Sequence, residues 1–291
     1  MAHKEPNLPF RWDISGGDRT GSLTDGIDYE PDYVDALAEC AAKVLARSAD
    51  GDLYFVGRSP DSVYDLLSGV LADTDHRERL HRLPLSLYGF DGEDVTPDER
   101  AQLRTNLTAS GISPRSLAAR ERPVVFADLV MHGSTFGNLH RELRDWIDDE
   151  RVSWNLIRRR LRYLGITVRK KTSPNTWRWQ QHAEWTSDLQ PSAVRNVSID
   201  RFLWGHLGNS QPKTEHSFRR SCWSDPSVTR PRHDEKARQG LAEALSFHAH
   251  GRTRRVRSLV HRTLTAEPAF REPWLRTLAH NLRTSGGTSQ P

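Results

Sequence analysis

Between Val124 and Leu139 the chain reads VVFADLVMHGSTFGNL. A single carboxylate, Asp128, ends an apolar run, and a patch of small residues, Gly133-Ser134-Thr135, opens the stretch that follows. A carboxylate at the end of a buried strand can accept hydrogen bonds from the hydroxyls of a ligand. A helix that starts on small residues offers free N–H groups and the positive end of its dipole to a phosphate, with His132 beside it. A second loop of the same character, Gly57-Arg58-Ser59, follows the apolar run DLYFV and adds a cation. Plainer readings stand next to these: Asp128 as a turn or capping residue, His132 as a surface histidine. Neither loop fits G-x-x-x-x-G-K-[ST] or G-x-G-x-x-G, so the commoner nucleotide-binding motifs are excluded.

The elements that would position these residues alternate. DLYFV (Asp52–Val56), LPLSLYG (Leu83–Gly89) and VVFAD (Val124–Asp128) read as buried strands. Ser59-Pro60 marks a helix start with Ser59 as N-cap, and Thr96-Pro97-Asp98-Glu99 and Ser113-Pro114 mark two more. Thr135 to Glu150 carries Phe136, Leu139, Leu143 and Trp146 on one helical face. This order predicts an α/β fold, a parallel sheet flanked by helices, with ligands at the loops beyond the carboxyl ends of the strands. Further on, SWNLIRRRLRYLGITVRKK predicts an amphipathic helix through Trp154, Ile157, Leu161 and Leu164, then a short strand over Ile166–Arg169. Trp177 and Trp179, two apart and flanking Arg178, suit stacking on a base, or else belong to the core. Gly208 to Arg232 reads as a linker, and Asp234–His250 and Val256–Leu282 as helices around the cluster RTRRVR. The expected organisation is an N-terminal helical or extended segment over 1–50, an α/β domain over 51–180 and a basic, mainly helical region over 181–291.

These residues resemble the type I phosphoribosyltransferases, whose phosphoribosyl-diphosphate loop runs from a hydrophobic strand through two adjacent acids to Thr-Gly-x-Thr. Laid on that pattern, Val124-Val125-Phe126 is the strand, Ala127 stands where the first acid would be, Asp128 is the second acid, His132 replaces the first Thr, and Gly133-Ser134-Thr135 completes the loop. The resemblance covers about Leu53 to Glu150. It implies that Asp128 holds ribose hydroxyls, that His132, Gly133, Ser134 and Thr135 hold the 5′-phosphate, and that Gly57, Arg58 and Ser59 hold the diphosphate. It also implies Mg²⁺ as cofactor, Asp128 and Arg58 as catalytic residues, and transfer of a phosphoribosyl group to a nucleobase or related acceptor. Tyr88 to Arg122 falls where the family carries a mobile loop, with Arg100, Arg104 and Arg115 as candidates to close over the diphosphate.

Charge divides the chain sharply. The net charge is +4, yet residues 1–150 hold 16 Lys and Arg against 28 Asp and Glu, and residues 151–291 hold 26 against 10. Either the halves pack or dimerise against each other, or the basic half meets a polyanion such as nucleic acid. Two cysteines, Cys40 and Cys222, are too few for a disulfide framework or a zinc site, and no apolar run reaches membrane-spanning length. A soluble cytoplasmic protein of nucleotide metabolism is the expectation, with a ligand sensor that binds nucleic acid or a partner as the alternative to an enzyme.

Overall fold

The computed structural model describes residues 4–15, 21–27, 29–87, 90, 95–171 and 176–284. Its centre is a five-stranded, all-parallel sheet of β1 (Asp52–Val56), β2 (Leu80–Leu83), β3 (Val124–Leu129), β4 (Leu161–Val168) and β5 (Val194–Ile199), in the order β2-β1-β3-β4-β5. The helices are α1 (Val34–Arg47), α2 (Asp61–Val70), α3 (Pro97–Ala109), α4 (Pro114–Ala119), α5 (Ser134–Asp149), the single turns α6 (Trp154–Ile157) and α7 (Arg201–Gly205), then α8 (Glu235–Arg252), α9 (Arg254–Ala266) and α10 (Pro273–Thr284). Among the described residues no helix is long and apolar enough to cross a membrane.

Alternation along each strand feeds two apolar layers. Leu53, Phe55, Val125, Ala127, Leu164 and Ile166 join one core with α1, α2, α8, α9 and α10. Tyr54, Val56, Val124, Phe126, Leu161 and Tyr163 join the other, with α3, α4 and α5. Strands covered on both faces read as near-continuous apolar runs, which is why β1 and β3 were legible in the sequence.

Several expectations need correction. The second strand is Leu80–Leu83, beginning three residues before the run LPLSLYG and ending on its first residue; Leu85 and Leu87 are buried beyond the strand's end, and Tyr88 and Gly89 lie outside the described residues. The helix predicted through Leu164 stops after one turn at Ile157, and Leu161 and Leu164 belong to β4, where both faces are buried and an apolar spacing of three carries no helical meaning. Ser59 does not cap α2, whose first residue is Asp61; the capping boxes at Thr96 and Ser113 are present. The region expected to begin at 181 supplies β5 to the same sheet, and the boundary at 180 falls between two hydrogen-bonded neighbours. Val256–Leu282 is two helices, α9 and α10, parted at Pro268.

The acidic and basic halves meet within one chain. Arg257, buried at the start of α9, donates to Asp73 (2.7 Å), Arg255 pairs with Asp35, and Arg47 of α1 pairs with Glu267 (3.1 Å). Arg104 and Arg100 straddle the buried Glu142 of α5 (3.2 and 3.6 Å), and Arg115 faces Glu150 (3.6 Å), so the three arginines expected to close over a diphosphate pair with carboxylates of the helical flank.

Candidate functional site

In this strand order β1 is followed outward by β2 on one side and β3 on the other. The crevice beyond the carboxyl ends of β1 and β3 is therefore the topological switch point, where parallel sheets bind ligands. A cavity of 250 Å³ occupies it. Its floor is Gly57, Arg58 and Ser59 after β1, Pro84 to Ser86 after β2, Asp128 and Leu129 at the end of β3, and Thr135 in the first turn of α5. Gly208, Lys213 and Glu215 to Phe218 close it from the other side.

Local structure explains why these residues converge. Gly57 has φ +71°, and its N–H donates to the Leu83 carbonyl (2.9 Å), turning the chain sharply off β1. Gly133 has φ +82° at the N-terminus of α5, and a Cβ there would lie 2.3 Å from Cε3 of Trp179. Only glycine combines that conformation with that contact. Trp179 is fully buried, and its Nε1 donates to Oδ1 of Asn196 (2.7 Å), which also fixes its ring beneath Gly165. Trp179 is thus a wedge between β4, β5 and the start of α5; of the two readings the sequence offered for it, stacking on a base or a place in the core, it takes the core. Trp177 donates to the Met131 carbonyl (2.6 Å), stacks on His182, and does not line the cavity.

Asp128, assigned to the ribose hydroxyls, lines the cavity; of the residues assigned to the 5′-phosphate, Thr135 lines it, His132 and Ser134 are exposed and do not, and Gly133 is buried over Trp179. The three residues assigned to the diphosphate, Gly57, Arg58 and Ser59, all line it. Ala127 is fully buried in the layer facing α1 and α2, so its side chain packs in a core and leaves Asp128 as the loop's one carboxylate at the cavity.

The electrostatics turn on two groups. Asp128 is buried, its Oδ1 accepting from the Leu129 N–H (2.7 Å), and burial pushes its carboxyl up to about 8 against the opposing pull of that bond and of Lys213. Lys213 donates from Nζ to the Arg58 carbonyl (2.8 Å) and to Gln211, and burial lowers it to about 8 despite the nearby carboxylate of Asp61. Arg58 donates to the Glu215 carbonyl (3.1 Å). Behind it Glu215 is held between Arg11 (3.1 Å) and Arg82 (3.5 Å), and Arg82 also pairs with Asp65 and faces Asp61 (4.0 Å). This ionic wall fixes the cover over the cavity, because each buried charge would be costly without its partner.

Lys213 and Glu215 were missed in the sequence because PKTEH sits in a polar stretch that reads as a linker. The signal was the apolar punctuation around it: Phe218, Trp223 and Val228 are buried, as a solvated linker's residues would not be. Comparison with protein-family models, with curated proteins and with solved structures returned no match.

Proposed function

We propose that the cavity binds phosphoribosyl diphosphate and that the protein is a phosphoribosyltransferase-like enzyme, transferring the phosphoribosyl group to a nucleobase or related acceptor with release of diphosphate. The observation that carries the reading is that the two stretches singled out in the sequence meet at a single cavity, lined by Gly57, Arg58 and Ser59 from one and by Asp128 and Thr135, the two ends, from the other. Asp128 would accept from ribose hydroxyls, and the N–H groups at the start of α5 beside Thr135 would receive the 5′-phosphate. Arg58 and Lys213 would meet the diphosphate, where negative charge grows as the bond from the anomeric carbon breaks.

Among the described residues no cluster of three or more His, Cys, Asp or Glu could cage a metal. Mg²⁺ is commonly bound through one carboxylate and the substrate's own phosphates, and Asp128 is placed for that. When bound, the ion would neutralise the departing charge.

Calorimetric titration of phosphoribosyl diphosphate with and without Mg²⁺ tests the site, and diphosphate release on addition of nucleobases tests the chemistry. Saturable binding lost in Asp128→Asn supports the reading; absence of binding to the wild type overturns it. The apolar environment of Ala127 favours a second reading, a sensor that binds the same ligand without consuming it, using its basic half to engage nucleic acid or a partner. Binding without diphosphate release from any acceptor would select it.

A further inference from the structure

The positive excess of the second half is not spread evenly. Arg47–Glu267, Arg220–Glu99, Arg255–Asp35 and Arg257–Asp73 show much of the chain's arginine tied to carboxylates. At the carboxyl ends of β3, β4 and β5 the pattern changes. Arg169, Lys170, Lys171, Arg178 and Arg201 are all exposed there, and no ion pair holds any of them among the described residues. The segments that carry them have no acid to offer: there is none from Leu129 to Arg141 or from Arg169 to Ala183. Glu184 follows the second of these segments, and Asp200 precedes Arg201 with its carboxylate engaged by the Phe202 and Leu203 N–H groups (2.9 and 3.0 Å).

The strands put these cations on one surface. Val130 N–H donates to Ile166, and Arg169 N–H donates to Ile199, so the three chain exits lie side by side at the roughly 4.8 Å spacing of neighbouring strands. Rings sit among the charges. Trp177 is pinned to the Met131 carbonyl with Lys170 Nζ 5.3 Å from its centroid and His182 stacked on it at 5.4 Å. Phe202 is 65% exposed with Arg201 4.7 Å over its ring, and Met131 is 57% exposed. An exposed phenylalanine two residues past a helix cap contributes nothing to the core.

We propose that this edge binds single-stranded nucleic acid, the unpaired cations meeting phosphates and the exposed ring of Phe202 offering a face to a base, while Trp177, already stacked on His182, holds Lys170 beside it. Unpaired cations beside an exposed aromatic ring match the phosphates and bases of a single strand, whereas a duplex hides its base faces. A membrane surface would need a broader apolar patch than the Phe202 and Met131 side chains provide. The inference is independent of what the cavity binds.

The test is fluorescence anisotropy with labelled 15-nucleotide single-stranded RNA and DNA, a duplex of equal length, and vesicles containing phosphatidylserine, at 50 and 200 mM salt. Single strands should bind better than duplex. Lys170→Glu combined with Arg201→Glu should weaken binding about tenfold or more and flatten the salt dependence by about 1–2 in slope. Phe202→Ala should weaken it about fivefold or more with the slope unchanged. Lys236→Glu, an exposed charge at the start of α8, serves as the control and should change affinity less than threefold, about 0.7 kcal/mol. All substituted side chains are at the surface, so unchanged thermal unfolding is expected. Failure of single strands to bind at 50 mM salt, equal weakening by Lys236→Glu, or binding to vesicles but not to oligonucleotides would each overturn the proposal.

Discussion

Asp128 and Lys213 titrate in the same region from opposite directions, and the cavity's charge follows from that. Below about pH 8 the carboxyl is neutral and the ammonium charged; above it the carboxylate forms and the amine loses its proton. Raising pH through 8 therefore shifts the cavity by two charges toward negative, and Mg²⁺-free affinity for phosphoribosyl diphosphate should fall by about tenfold or more between pH 7 and 9, as calorimetry would read it. Stability carries a matching signature. Folded Asp128 keeps its proton up to about 8, while the unfolded group releases it near the ordinary 3.8. The folded state then binds the extra proton throughout that window, and its contribution to stability is complete below 3.8 and lost as pH rises toward 8. Asp128→Asn has no proton to lose, so its thermal midpoint should equal or exceed the wild type's at pH 8 and lose that advantage at pH 4. Loss of ligand binding with no loss of stability would separate a binding role from the turn-forming role that the sequence left open for this residue. The carboxylate was visible in the sequence; its lysine counterpart was not, because nothing local in PKTEH says that the segment folds back over β1.

Elements were legible where local rules act alone. The capping boxes at Thr96 and Ser113, the apolar runs of β1 and β3, and the amphipathic α5 each need only neighbours in sequence. β2 and β5 were missed because LHRL and VRNVSI present polar residues whose burial is decided by what packs over them: His81 stacks on Tyr54 at 4.6 Å, and Asn196 serves Trp179. The same dependence on distant partners sets three glycines. Gly133→Ala would add a left-handed penalty and drive a methyl against Trp179, for an expected loss of about 2–4 kcal/mol in urea unfolding. Where α2 crosses α8, a Cβ on Gly251 would stand 2.3 Å from the Leu66 carbonyl and one on Gly69 would stand 2.0 Å from the His248 carbonyl. These are backbone atoms that no rotamer change can move, so Gly251→Ala should force the helices apart and cost about 1–3 kcal/mol or more by the same measurement. A neutral result at Gly251 would mean that α8 can slide on α2.

On the scale of the whole molecule, the division of charge between the halves is in part an intramolecular seam. Asp73 and Asp35 of the acidic half receive Arg257 and Arg255 of the basic one, and α8, α9 and α10 lie against α1 and α2 rather than standing apart. Composition could reveal the division, but only the packing shows which cations it consumes and which it leaves at the ends of β3, β4 and β5. The helices after 232 bury Phe247, Val256, Val260, Leu264, Leu275, Leu278 and Leu282 in the core they share with the sheet. At about 1.5–3 kcal/mol for each buried apolar side chain, their contribution is about 10 kcal/mol or more, the size of a domain's entire net stability. A chain ending at residue 232 would keep all five strands and most of the cavity's lining, yet expose the outer faces of α1 and α2. It should aggregate or remain protease-sensitive, and supplying residues 233–291 in trans should restore protease resistance if the helices act only as a cover. A soluble, protease-resistant 1–232 with an unchanged thermal midpoint would refute this account of the second half and make its helices an appendage.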